Sequence, residues 1–371
     1  MPARLRCLTL RGFRTVRDLS EFGPQPINVL IGANGAGKSN LISFFNLLGA
    51  MVTSPGNLQG YVAGAGGANA ILHDGARVTR DIEACLAFES EDVENRYEFR
   101  LSYAAGDTLV FGAEGYGSLR SQRPVAQKQR SLGGGYREAA IVELAEQGDW
   151  VARQLVSVLR KCVLYQFHNT SATGRLRGKW NVNDSYRLKE DAANLAPFLL
   201  RLRDSAAPYY RRIVETLRLV VPFFADFELV DDHGAVLLQW RERDSDVVFD
   251  VSQASDGMLR TMALLALLGQ PEEDLPGVLL VDEPELGLHP YAMDVIAGML
   301  RAASLHVQVF VATQSTALVD RFEPEDIVVV DRVGRESVFK RLDARELRDW
   351  LEEYSLSELW EKNVLGGRPG R

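Results

Sequence analysis

Cysteine is scarce: Cys7, Cys85 and Cys162 are the three in 371 residues, and no C-x-x-C pair occurs. That spacing excludes a thiolate zinc site built from this chain alone and fits a reducing compartment. Histidine is equally thin, with five dispersed residues (His73, His168, His233, His289, His306), so no metal cluster is legible. Long apolar runs are missing as well. Nothing approaches the roughly 18 consecutive apolar residues of a membrane-spanning helix. The basic opening, residues 1–6, leads into no apolar signal-peptide core. A cytoplasmic protein without a membrane partner is the expectation. Positive charge is not in excess either: a formal net charge of −8 excludes a uniformly basic nucleic-acid binder and leaves only local patches.

What the chain does have is an ordinary globular composition, 46% hydrophobic and 25% charged, in a length that suffices for one large or two ordinary domains. Its organising stretch is Gly32-Ala33-Asn34-Gly35-Ala36-Gly37-Lys38-Ser39, which satisfies the G-x-x-x-x-G-K-[ST] phosphate-loop pattern. An apolar run at 29–31 reads as a buried strand before it, and Leu41, Ile42, Phe45 and Leu48 follow at helical spacing. Glycines let successive backbone N–H groups converge on phosphate oxygens at a helix N-terminus. Gly32, Asn34, Gly35, Ala36, Gly37, Lys38, Ser39 and Asn40 are therefore the expected cradle for the triphosphate of ATP. Lys38 supplies a point charge to the β/γ-phosphates and Ser39 a hydroxyl ligand for Mg²⁺.

Further along, residues 8–14 alternate as a strand ending in a turn, and the Gly/Ala-rich stretch 50–70 looks like a mobile loop. Alternation at Ile82, Ala84, Leu86 and Phe88, then at Tyr97, Phe99, Leu101 and Tyr103, predicts antiparallel sheet. Two basic stretches follow, one with Arg120, Arg123, Lys128, Arg130 and Arg137, the other with Arg175, Arg177, Lys179, Arg187 and Lys189. A solvated flexible loop is the favoured reading of each, and a contact surface for DNA phosphates the other. Helices are expected over 140–160 and 191–221. Between them a strand at 163–167 delivers His168, Asn169 and Thr170 to its end, and a hairpin closes around residues 231–234.

Two more motifs complete a candidate site. The apolar run 278–281 ends in Asp282 and Glu283; Asp282 would hold Mg²⁺ and Glu283 would polarise the water that attacks the γ-phosphate. Shortly upstream, Ser255-Asp256-Gly257 opens an apolar helix. The phosphate loop lies far ahead of both, and this order resembles the ABC-type ATPases, in which a Ser-Gly signature shortly precedes the acid strand. Leu286-Gly287-Leu288-His289-Pro290, the strand end Ala312-Thr313-Gln314-Ser315 and Gly12-Phe13-Arg14 are similar to the RecF/SMC/OLD branch. The stretch 167–171 and the tail 354–363 are similar to a bacterial "AAA family ATPase" group of RecF type.

That resemblance implies an α/β fold, a P-loop NTPase of ABC/RecF head type with a mixed central sheet, an antiparallel β subdomain and a helical lobe. Residues 1–50 and 225–345 would form the ATPase core, 51–140 the antiparallel region with its flexible basic loop, 141–224 the helical lobe, and 346–371 a tail packing on the core. It also implies a homodimer closed around ATP, with Ser255 and Gly257 reaching the second copy's γ-phosphate. Glu283, Gln314 and Lys38 would be the catalytic set, with ATP and Mg²⁺ bound. Departures are visible: Asp256 stands where glycine is common, Met258 where glutamine is common, and Gln314 where many relatives have a histidine, which implies slow turnover. His168 or Asn169 would sense the γ-phosphate, and Arg14 would approach the nucleotide. The interval between loop and signature lacks sustained heptads, so SMC-like arms are not expected. About 50 residues follow Ser315, too few for the nuclease domain of OLD relatives, and Asp244-Ser245-Asp246 reads as a solvated turn. A nuclease or other effector would then act in trans, in DNA maintenance or phage defence. The rival readings are the nucleotide-binding subunit of an ABC transporter and an ATP-dependent scaffold that hydrolyses little.

Overall fold

The computed structural model describes residues 3–53, 56–90, 93–120 and 129–367. Arg123, Lys128 and the side chain of Arg120, all in the first basic stretch, lie outside the described residues. In chain order β1 (Arg4–Phe13) and β2 (Val16–Phe22) form a hairpin, and β3 (Ile27–Ile31) runs into the phosphate loop. Next come β4 (Asp81–Ser90), β5 (Val93–Ala104), β6 (Thr108–Arg120) and β7 (Arg130–Gly133), then β8 (Cys162–Tyr165). Short strands β9 (Trp180–Asn181), β10 (Phe224–Glu228), β11 (Ala235–Val236), β12 (Gln239–Glu242) and β13 (Val248–Asp250) follow. The chain closes with β14 (Val278–Asp282), β15 (Gln308–Thr313), β16 (Ile327–Val333) and β17 (Glu336–Arg341).

Two six-stranded sheets result. One is antiparallel in the order β2-β1-β4-β5-β6-β7; the other, in the order β17-β16-β3-β15-β14-β8, is parallel except for its edge strand β17. The mixed central sheet and the antiparallel region are thus both present, but with different boundaries from those expected. β1 and β2 pair within the antiparallel sheet rather than the core sheet, and β8 leaves the helical stretch to pair in parallel with β14. Apolar runs buried on both faces explain the central placement of β3, β14 and β15. Ile27, Val29 and Ile31, with Leu279, Val281, Val309 and Val311, face one hydrophobic core; Leu30, Leu280, Phe310 and Ala312 face the other.

The helix Lys38–Thr53, the longest of the described residues at 16 residues, fills the second core. Its Phe44 ring lies 5.6 Å from that of Phe13 and 6.5 Å from that of Phe99 in the antiparallel sheet, and its Phe45 ring 5.2 Å from that of Phe310 on β15, so the helix is wedged between the two sheets. On the opposite face pack the helices Leu195–Ser205, Ala207–Val220, Asp256–Gly269 and Pro290–Ser304. The described residues of the stretch 50–70 are largely helical rather than a loop: helices Asn57–Gly64 and Ala68–Ile71 form there because Leu58, Val62, Ala68 and Ile71 find buried positions despite the surrounding glycines. At the far end, Leu356, Leu359 and Trp360 of the helix Leu356–Glu361 are buried, and a Ser355/Glu358 capping box starts that helix. The chain then reaches the phosphate-loop strand: Gly367 N–H donates to Asp331 Oδ1 at 2.6 Å, and a methyl group on Gly367 would stand 3.4 Å from Gly32 Cα.

Candidate functional site

Register decides what meets what. Ile31 lies opposite Thr313, Ala312 opposite Asp282, and Val281 opposite Tyr165, so β3, β15, β14 and β8 end level along one edge. The residues that follow each strand, the phosphate loop, Gln314, Glu283 and Gln166, therefore gather in the crevice at the carboxyl ends of parallel strands.

The loop is tightly turned. Gly37 has φ 114°, and a side chain there would collide with Ser337 Oγ and Thr15 Oγ1, so only glycine serves. Lys38 is buried, and its Nζ donates to the carbonyls of Gly32 at 2.6 Å and Ala33 at 3.1 Å. Burial lowers its pKa, and the negative charges of Glu283, Asp282 and Glu285 oppose that shift. Asn34, Gly35 and Ser39 are exposed along the loop. Asn40 Nδ2 donates to Thr15 Oγ1 at 2.6 Å, tying the helix start to the β1–β2 turn.

Asp282 is buried, and its Oδ2 accepts from Gln166 Nε2 at 2.9 Å. Burial raises its pKa and the Gln166 hydrogen bond pulls against that rise. Glu283 sits in the left-handed region at φ 47°, its N–H donating to Ala312 O at 2.8 Å and its Oε1 accepting from Gln314 Nε2 at 2.7 Å. A non-glycine residue at positive φ costs energy and persists when its surroundings hold it. His168 turns toward the acids, Nε2 donating to Asp282 O at 3.2 Å and standing 3.9 Å from Glu283 Oε2. Asn169 instead accepts from Ser171 Oγ at 2.8 Å. Of the two sensing candidates, only His168 faces the site.

Ser255 is the N-cap of the helix Asp256–Gly269, its Oγ accepting from Met258 N–H at 3.2 Å. A side chain at Gly257 would strike Gly287 O, so this position too demands glycine. The awkward carboxylate of Asp256 pairs with Arg177 Nη2 at 3.2 Å. Arg260, one turn on, donates to the carbonyls of Phe167, His168 and Leu286, each at 3.1 Å. No hydrogen bond joins Ser255 or Gly257 to the phosphate loop among the described residues. Arg14, Thr15, Asn40, Arg332 and Arg335 border a cleft of about 860 Å³ beside the loop, and Arg332 Nη1 donates to Gly35 O at 3.2 Å.

No group of three or more His, Cys, Asp or Glu side chains is set to hold a metal ion among the described residues. A magnesium ion shared with nucleotide phosphates does not need one, since one carboxylate and one hydroxyl suffice. Gln166 occupies only one oxygen of Asp282, and Ser39 is exposed, so the donor set fits such an ion.

Gln166, Glu285, Arg260 and Arg177 were not expected at the site. Gln166 carried a signal, being the first polar residue after an apolar run, as Asp282 is. The arginines carried none, because their partners are distant carbonyls. The second basic stretch is largely neutralised: Arg175 pairs with Asp191 at 3.0 Å, Lys179 with Asp232 at 2.8 Å and Lys189 with Asp184 at 2.8 Å.

Among solved structures, the chain is similar to an Smc head bound to the C-winged helix domain of ScpA, at 15% identity and TM-score 0.60, covering 93% of this chain and 99% of that one. It is also similar to an Smc head domain with an extended coiled coil bound to the C-terminal domain of ScpA derived from Pyrococcus furiosus, at 13% identity and TM-score 0.57, covering 95% and 99%. No curated protein matches the chain. The fold is that of an SMC head domain. Within that class the chain belongs to the family described as "AAA domain, putative AbiEii toxin, Type IV TA system", whose profile matches residues 27–132 and 159–320. It is thus a nucleotide-binding module of AAA type. No helix of the described residues is long and apolar enough to cross a membrane.

Proposed function

We propose that this chain is an ATP-driven dimerisation switch that hydrolyses ATP slowly. The reading rests on one observation: the buried ammonium of Lys38 and the carboxylates of Asp282 and Glu283 share the edge at which four parallel strands end. The amides of residues 32–40 wrap the triphosphate and Lys38 binds its β/γ-phosphates. Ser39 and Asp282 hold Mg²⁺, which when bound neutralises phosphate charge. Glu283 is the general base. Gln314 donates to Oε1 and leaves Oε2 to take a proton from water. Gln314 cannot carry positive charge, unlike a histidine, and this supports slow turnover. Ser255 and Gly257 of a second copy complete the site from across the nucleotide, presenting a helix N-terminus to the γ-phosphate.

A separate effector, a nuclease or another protein, would be gated by this opening and closing, in phage defence or DNA maintenance. The family's description, which names a "putative AbiEii toxin, Type IV TA system", supports the defence setting. Direct DNA contact through residues 175–189 finds less support, since most of those cations already have carboxylate partners.

Two variants test the switch. Glu283→Gln should bind Mg-ATP and run as a dimer by size exclusion with light scattering. Lys38→Ala should lose at least about a hundredfold in ATP affinity, since a buried charge-assisted phosphate contact is removed. A Glu283→Gln protein that stays monomeric in saturating Mg-ATP rejects the shared site.

A further inference from the structure

The turn after the two acids carries a carboxylate to which the hydrolytic reading gives no task. Glu285 Oε1 accepts two hydrogen bonds from the end of β15, from Thr313 Oγ1 at 2.5 Å and from the Gln314 backbone N–H at 3.2 Å. Its Oε2 is buried with no hydrogen-bond partner. Two residues earlier, the Glu283 N–H donates to Ala312 O at 2.8 Å. The turn 283–285 therefore grips three successive residues of the neighbouring strand end. Gln314 then sends Nε2 back to Glu283 Oε1 at 2.7 Å, closing a ring from Glu285 through Gln314 to Glu283. Leaving one carboxylate oxygen buried and unpaired is costly, and an apolar residue would fill the same space without that cost. What an apolar residue could not do is fix the Thr313–Gln314 step.

We propose that Glu285 is a positioning residue for ATP hydrolysis: by holding the Thr313 hydroxyl and the Gln314 amide it sets the Gln314 side chain against Glu283 and so orients the general base. The inference rests on Glu283 being that base. Among the described residues Glu285 makes no hydrogen bond to the phosphate loop, and its charge acts least of the three acids on Lys38, so its loss falls on kcat more than on nucleotide affinity.

The test uses the full chain, with steady-state ATPase kinetics and Mg²⁺-dependent binding of a fluorescent ATP analogue. Glu285→Ala should lower kcat about tenfold to a hundredfold, the scale of an ångström of misplacement at a reacting group, and leave the Kd within about twofold. Glu285→Gln keeps an acceptor oxygen for both donors and should recover kcat to within about threefold of the parent. Thr313→Val removes one of the two bonds and with it the Ser315 N–H bond to the same hydroxyl at 3.0 Å; combined with Glu285→Ala it should slow the enzyme by much less than the product of the two single effects. A folded Glu285→Ala protein with parental kcat overturns the proposal, as does a Glu285→Gln protein as slow as the alanine variant. If Glu285→Ala does not fold, Thr313→Val decides, since it must lower kcat at unchanged Kd. A parent chain that binds ATP without turning it over sinks the reading of Glu283, and this one with it, before any variant is made.

Discussion

Burial disfavours the charged form of Lys38, and the negative charges of Glu283, Asp282 and Glu285 offset part of that cost. The carboxyls carry a cost of their own, and its sign can be followed. Burial raises the pKa of Glu285 above its ordinary value, so the folded protein holds the proton more tightly than the unfolded chain. The stabilisation this brings is complete below the ordinary carboxylate range and is lost as pH rises through the raised value. At pH 7 the nucleotide-free protein therefore carries a penalty that Glu285→Gln removes. Thermal melts should show a higher Tm for Glu285→Gln at neutral pH, with the gap closing as pH falls from the raised value to the ordinary carboxylate range. Legibility differs sharply between such residues. Lys38, Asp282 and Glu283 are readable because each sits in a contiguous motif, whereas the partners of Glu285 on β15 become neighbours only once the sheet has formed.

At the scale of elements, the antiparallel sheet is tied to the start of the helix Ala140–Glu146 by Glu114 on β6, a buried carboxylate that accepts four hydrogen bonds. Tyr97 Oη donates at 2.8 Å, Tyr136 Oη at 2.9 Å, and the backbone N–H groups of Ala140 and Ile141 at 2.9 and 3.2 Å. Glu114→Ala would strand these donors, and urea unfolding should show a loss of about 2–4 kcal/mol. Strands with clear alternation, such as β4 and β5, were legible as elements because one residue in two is buried against the core. The stretch 50–70 was not, since its glycines mimic a loop while a few apolar anchors decide the outcome by packing. The stretch 175–189 read as basic for the same reason in reverse: its carboxylate partners are partly remote in sequence, Lys179 meeting Asp232.

For the whole molecule, the central sheet joins segments from both ends of the chain, since β3 lies between β15 and β16. The stripe of apolar residues in the tail was expected on the core, and Leu356, Leu359, Trp360 and Leu365 are buried there, while Trp350 stays 46% exposed. Removing everything after residue 345 uncovers those four contacts, each worth about 1.5–3 kcal/mol, against a typical total of about 5–15 kcal/mol. An insoluble or unfolded product is expected, read by yield and circular dichroism. The segment order, loop early and acids late, was legible as an ABC-type arrangement. The boundaries were not, because strand partnership for β1, β2 and β8 is settled by pairing across the chain. The last described residue, Gly367, abuts Gly32 at the base of the phosphate loop. A reporter group introduced at Gly367 itself would therefore stand against the base of the nucleotide cradle, and labels for affinity measurements belong elsewhere on the surface.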